Sequence, residues 1–123
     1  MKQLSRVLMA GLFLMIAGTV QAQYKGPGTN SKYFTVKEVT KQASKLDRSD
    51  TLVKLQGFII RQENGETYWF QDVTGKIRVE IEKKKLPLEP FDEKTEVIIT
   101  GEVDYDLLEG TEIEVKHIEI KTS

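Results

Sequence analysis

The sequence predicts a mainly β fold: a small five-stranded Greek-key barrel with one N-terminal α-helix. Three observations predict it. The block Val53–Ile81 (VKLQGFIIRQENGETYWFQDVTGKIRVEI) reads as three short strands joined by two tight turns, with apolar residues at alternate positions. Two further alternating runs follow a connection that contains Pro87 and Pro90. Gly57 and Gly101 fall inside strands, where glycine relieves crowding as a strand bends round a barrel.

The elements follow from the N-terminus. Lys2 and Arg6 precede an apolar run, Val7–Val20, and Val20-Gln21-Ala22 places small or Val residues where a signal peptidase reads. Residues 1–22 are therefore expected to be a secretory signal peptide, cleaved after Ala22. The run is shorter than the ~20 apolar residues a membrane span needs. There is no cysteine, hence no lipid-attachment cysteine and no disulfide framework. The core must hold the fold alone. Without Lys2 and Arg6 the formal charge moves from −1 to about −3. A mildly acidic exported domain is a poor prospect for nucleic acid, whose binders carry a basic excess. The expected localisation is periplasmic, with no membrane span after cleavage.

Residues 23–34 form an N-terminal arm rich in Gly, Pro and Ser, and 35–123 form the barrel domain. Thr35 with Glu38 is a capping box, and Phe34 and Val39 stand where a hydrophobic staple would. Val36, Val39, Ala43 and Leu46 share one helical face, and Asp47-Arg48-Ser49-Asp50 predicts a helix end near Leu46.

Asn64-Gly65 predicts a two-residue type I′ turn. It would pair Glu63 with Glu66, Arg61 with Tyr68, Ile60 with Trp69, Ile59 with Phe70 and Phe58 with Gln71. Val53, Leu55, Ile59, Tyr68 and Phe70 then line the interior. Gly75 can supply a positive backbone angle to the second turn. Ile77, Val79 and Ile81 face inward with Phe70, and Arg78 lies outside, opposite Trp69 or Gln71. Pro87 and Pro90 exclude a regular helix from Glu82–Thr95. A fourth strand spans about Glu96–Asp104 and a fifth about Thr111–Ile120. Ile113 and Val115 share one parity and Ile118 and Ile120 the other, which predicts a bulge at Lys116-His117. The order of three strands, a long connection and two strands is that of an oligonucleotide/oligosaccharide-binding (OB) barrel. Its helix precedes strand one instead of lying between strands three and four. An open sandwich is the alternative, with more edge to protect.

The outer face of strands one to three carries the strongest candidate site: Phe58, Trp69, Gln71, Arg78 and Glu80. A flat aromatic ring suits the C–H face of a sugar, and amide, guanidinium and carboxylate groups suit its hydroxyls. The alternative is that the helix or arm covers Phe58 and Trp69. Asp104, Asp106, Glu109 and Glu112 lie around one turn and have the oxygen chemistry of a hard-cation site, but they match no complete calcium-loop pattern. His117 is the only histidine, so no histidine-based metal cluster can form within one chain. It is read as a bulge or edge residue, and Lys83-Lys84-Lys85 as a solvated loop. With no cysteine, one histidine and no serine or threonine marked by a neighbouring base, catalysis has little support. No cofactor is expected.

The chain resembles the bacterial OB-fold (BOF) family, small periplasmic stress proteins of YgiW/YdeI type. The resemblance rests on the signal peptide, the arm Tyr24-Lys25-Gly26-Pro27-Gly28 and the helix Val36–Leu46. It rests also on Val53-x-Leu55-x-Gly57-x-Ile59, Tyr68-x-Phe70-x-Asp72-x-Thr74-Gly75, Val97-x-Ile99-x-Gly101-Glu102-Val103-Asp104 and Ile113-x-Val115. One departure is Leu86-Pro87-Leu88, where the family pattern would have Trp-x-Gly. The resemblance implies a non-enzymatic periplasmic binding module that supports envelope stress tolerance. Its implied partners are cell-wall saccharides, cations or envelope proteins.

Overall fold

The computed structural model describes residues 32–122. The expected signal peptide and most of the expected arm lie outside the described residues. Five strands close into a barrel in the order β1-β2-β3-β5-β4. They are β1 (Leu52–Asn64), β2 (Thr67–Asp72), β3 (Gly75–Glu80), β4 (Glu96–Asp106) and β5 (Gly110–Ile120). Every pairing is antiparallel except that of β3 with β5. This is the OB barrel that the strand order predicts.

The period-2 pattern explains the lining. Leu55, Phe70, Val79, Val97, Ile99 and Ile113 are fully buried, and no polar or charged residue among those described is buried with them. Closure brings backbones into contact at two glycines. A Cβ on Gly57 would strike the Gln71 carbonyl oxygen and the Phe70 ring, and one on Gly101 would strike the Glu114 carbonyl oxygen.

The helical segment differs from a single helix. It forms α1 (Val36–Lys41) and α2 (Ala43–Arg48), interrupted at Gln42, whose φ of −107° and ψ of 17° leave the helical region. The second piece runs on through Asp47 and Arg48. There the Asp47 carboxylate accepts a hydrogen bond from the Tyr105 amide (2.8 Å), and Ser49 Oγ donates to the Lys45 carbonyl (2.9 Å). The loop composition of 47–50 is thus partly absorbed into a helix end held by β4. The capping box forms as read: Glu38 N–H donates to Thr35 Oγ1 (3.1 Å), and Thr35 N–H to Glu38 Oε1 (2.9 Å). The apolar stripe Val36, Val39, Ala43 and Leu46 joins the same core as the barrel lining.

The helices cross the barrel end where β1 and β3 begin and β2 and β4 finish. Asp72 ties them there. One oxygen of its carboxylate accepts from the Val36 amide (2.8 Å), and the other from the Thr74 amide (2.7 Å), the Thr74 hydroxyl (2.6 Å) and the Gly75 amide (3.1 Å). Tyr33 bridges Lys54 and Phe34 packs on the core, so these residues are already part of the barrel body.

The β1–β2 hairpin departs from the type I′ expectation. Asn64 pairs with Thr67, so the turn residues are Gly65 and Glu66, and Gly65 does not adopt a positive φ. Two register shifts lie between Ile59 and Arg61 and between Gln62 and Asn64. Ile59↔Phe70 and Phe58↔Gln71 hold, but Arg61 now faces Trp69 and Gln62 faces Tyr68. The physical reason is visible in the alternation. Continued strictly past Ile59, it would turn Arg61 toward the core beside Tyr68; one extra residue turns it outward. Gly75 also avoids a positive φ: Val73 and Thr74 make the β2–β3 turn, and Gly75 starts β3 opposite Asp72. The expected β5 bulge is present, since pairing steps from Gly101↔Val115 to Thr100↔His117 and leaves Lys116 out. In the β3–β4 connection a short 3-10 turn, Lys83–Lys85, precedes Leu86, which packs on the core.

Gly57→Ala and Gly101→Ala are each expected to destabilise the barrel by about 2 kcal/mol or more, on the scale of overpacking a core. Gly65→Ala meets open space and is expected to stay within about 0.5 kcal/mol. Denaturant unfolding of the three variants checks the contrast.

Candidate functional site

The five predicted surface residues share one face. Phe58 on β1 pairs with Gln71 on β2, and Trp69, two residues before Gln71, pairs with Arg78 on β3. Glu80 follows Arg78 on the same side of β3. All five are half-buried. The helices leave this face alone, because their apolar stripe is turned into the barrel end. The helix therefore does not cover Phe58 and Trp69; whether the arm does falls on residues 23–31, which lie outside the described residues.

Trp69 is the centre of the face. Its indole N–H donates to Glu63 Oε1 at 2.8 Å, which fixes the ring's orientation. Guanidinium groups approach it from both flanking strands: Arg61 of β1 with Cζ 5.9 Å from the ring centroid, and Arg78 of β3 at 5.4 Å. Both distances fall within cation–π range. Arg61 was not among the residues singled out from the sequence. Strict alternation hides it inside, and only the bulge before it brings it out. Doubled isoleucines before a charged residue, Ile59-Ile60-Arg61, were the available signal: an apolar residue on each parity in succession is what an extra residue in a strand produces.

Two shallow grooves adjoin the ring's strand. The first, about 330 Å³, is lined by Phe58, Ile60, Gln71, Asp72, Val73 and Glu93. The second, on the other side of Ile60, runs past Arg61, Gln62 and Tyr68 to Phe91 and Asp92. An apolar strip of β1 thus continues beside the aromatic and polar cluster, under the end of the β3–β4 connection.

The acidic turn resolves into separate roles. Asp106 caps the β4–β5 turn, accepting from the amides of Leu108 (2.7 Å) and Glu109 (2.9 Å), and these bonds hold its carboxyl below the usual range. Asp104 pairs with Glu112 across the strands, and Glu112 in turn pairs with Arg78 on β3. Glu112 therefore borders the Trp69 face. Among the described residues no group of three or more His, Asp or Glu side chains comes close enough to hold a metal ion. Burial pushes the Glu112 carboxyl up, Glu80 reinforces the rise, and Arg78 opposes it. Among the described residues no helix is long and apolar enough to cross a membrane.

Comparison with known proteins agrees with this fold. The sequence pattern of the bacterial OB fold (BOF) proteins matches residues 16–120. The calcium-regulated OB-fold protein CarO of Pseudomonas aeruginosa is 40% identical over 113 residues, covering 92% of each chain. Protein YgiW of Escherichia coli K12 is 38% identical over 79 residues, or 64% of this chain and 60% of that one. The solved structure of Escherichia coli YgiW superposes with a TM-score of 0.64 at 34% identity, over 80% of this chain and all of that one.

Glu112 yields a pH prediction with a definite sign. A raised folded-state carboxyl binds its proton while the unfolded one is still ionised. Its ionisation therefore opposes folding above the raised value, and that opposition is absent below the ordinary carboxylate range. Glu112→Gln is expected to melt higher than the parent near neutral pH, with the gain shrinking as the pH falls through the carboxylate range. Thermal melts of both proteins across that range check it.

Proposed function

This chain belongs to the bacterial OB fold (BOF) protein family, and we propose that it acts as a non-enzymatic binding module of the periplasm, taking cell-wall saccharide on the outer face of β1–β3. The observation that carries this reading is the convergence of Phe58, Trp69, Gln71, Arg78 and Glu80 on one face that the helices leave open. The β2–β3 face is also where OB barrels in general take oligosaccharides and oligonucleotides. Export by the signal segment 1–22 would place that face among cell-wall glycans. Binding there would serve tolerance of envelope stress.

The chemistry suits a sugar chain. The Trp69 ring is held by Glu63 and offers apolar surface, while Gln71, Arg78 and Glu80 supply both donors and acceptors for hydroxyl groups. The neighbouring strip of Phe58, Ile60 and Val73 extends the contact along the chain. An ordered aromatic with adjacent polar groups loses little conformational entropy on binding, because the ring is already fixed.

Trp69 is the only tryptophan in the chain, so its fluorescence reports this face and nothing else. Titration with soluble cell-wall fragments is expected to give a saturable change. Calorimetry with Trp69→Ala is expected to show binding weakened about tenfold or more, the scale of an anchor residue, with the barrel still folded. No fluorescence response, together with unchanged calorimetric binding in the variant, would sink the reading.

A further inference from the structure

Among the described residues the two guanidinium groups beside Trp69 make no ion pair, although Glu112 stands across the strands from Arg78. The chain carries 19 acidic residues, and among the described residues all five ion pairs are made by lysines. Neither Arg61 nor Arg78 is within ion-pair distance of a carboxylate there, and Arg78 Nε is buried without a hydrogen-bond partner. The nearby acids are otherwise disposed. Glu63 accepts from the indole, and Glu80 and Glu112 lie along and beyond β3, on the side away from Arg61.

Stacking explains what holds the arginines but not what they bind. A guanidinium lying over an aromatic face keeps its in-plane N–H donors unspent, and that planar fork matches a carboxylate or phosphate. Arg61 reaches the ring only because the β1 bulge turns it outward. Arg78 reaches it by direct cross-strand pairing. Two guanidinium groups, one from each flanking strand, thus bracket a fixed ring on the face proposed for a glycan; Arg78 offers its terminal nitrogens there, since its Nε is buried.

We propose that Arg61 and Arg78 form an oxyanion-reading pair astride Trp69, so that this face selects glycan chains bearing carboxylate or phosphate groups over neutral ones. This selection rests on the saccharide reading of the face. Glu80 and Glu112 mark its limit: the charged group of the ligand sits on the Arg61–Trp69–Arg78 row, and its hydroxyls reach toward Gln71 and Glu80. A stack with a merely structural role would treat charged and neutral chains alike.

Calorimetry on the whole protein separates these outcomes with three probes: a neutral N-acetylglucosamine tetramer, a galacturonic acid tetramer and a glycerol phosphate oligomer of similar length. At least one anionic probe is expected to bind about tenfold tighter than the neutral one, the scale of a single charge-assisted hydrogen bond. That margin should narrow with added salt. Whichever anionic probe shows it identifies the oxyanion as carboxylate or phosphate. Arg61→Gln, at an exposed position that should leave the barrel folded, is expected to lower anionic affinity toward the neutral value, by a larger factor than any loss of neutral affinity. Arg78→Lys keeps the charge but loses the fork, and is expected to fall between parent and Arg78→Gln. Neutral binding as tight as both anionic probes, or anionic affinities untouched by Arg61→Gln and Arg78→Gln, would overturn the selection and leave the saccharide face standing. No binding of any probe would overturn both.

Discussion

Closure of the barrel through β1 is the constraint on which the rest depends. This one strand of 13 residues pairs with β4 along its first part and with β2 along its second. Phe58 belongs to both pairings, facing Glu96 on one side and Gln71 on the other. A strand shared in this way crosses its neighbours closely at Gly57, where any side chain would enter the Gln71 carbonyl and the Phe70 ring. Gly101 does the same for β4 against β5. With the lining closed, apolar side chains can point inward from all five strands at once, and a chain without disulfides gains a single continuous core.

Closure also decides where the helices go. A closed barrel presents apolar surface at its ends, and the stripe Val36–Leu46 meets one end instead of lying along a wall. Asp72 fixes that choice, since a single carboxylate holds the first amide of α1 together with the turn that follows β2. The helices thereby leave the wall formed by β1–β3 uncovered. On it the bulge between Ile59 and Arg61 shapes the surface: it keeps Ile59 in the core and brings a guanidinium to the Trp69 ring. The same irregularity that keeps a charge out of the core equips the outer face.

Much of this was legible in the residues. Alternation identified the lining of β1 to β3 from Val53 to Ile81, because a period of two is a local property of each strand. The capping box at Thr35 and Glu38 and the β5 bulge at Lys116 were readable for the same reason: the signal and the structure span a few neighbouring residues. The hairpin turn was misplaced by one position. Asn64-Gly65 is a strong local turn signal, but the bulges that closure imposes on β1 shift the register past it. Arg61 was missed with it. The break at Gln42 has no marker in the apolar stripe, which continues across it. Glu112 was read with its sequence neighbours in the acidic turn, whereas its more consequential neighbour is Arg78, supplied by the parallel pairing of β3 and β5 between strands distant in sequence.

We propose that the outer face of β1–β3 is the ligand surface of this barrel. Chemical-shift mapping of backbone and indole N–H resonances during titration with cell-wall glycan fragments tests it most directly. The shifted resonances are expected to cluster at Phe58, Arg61, Trp69, Gln71 and Arg78, with the helices and the β4–β5 turn unmoved. Perturbations confined to the Asp104–Glu112 turn or to α1 and α2, with the Trp69 indole unshifted, would contradict it.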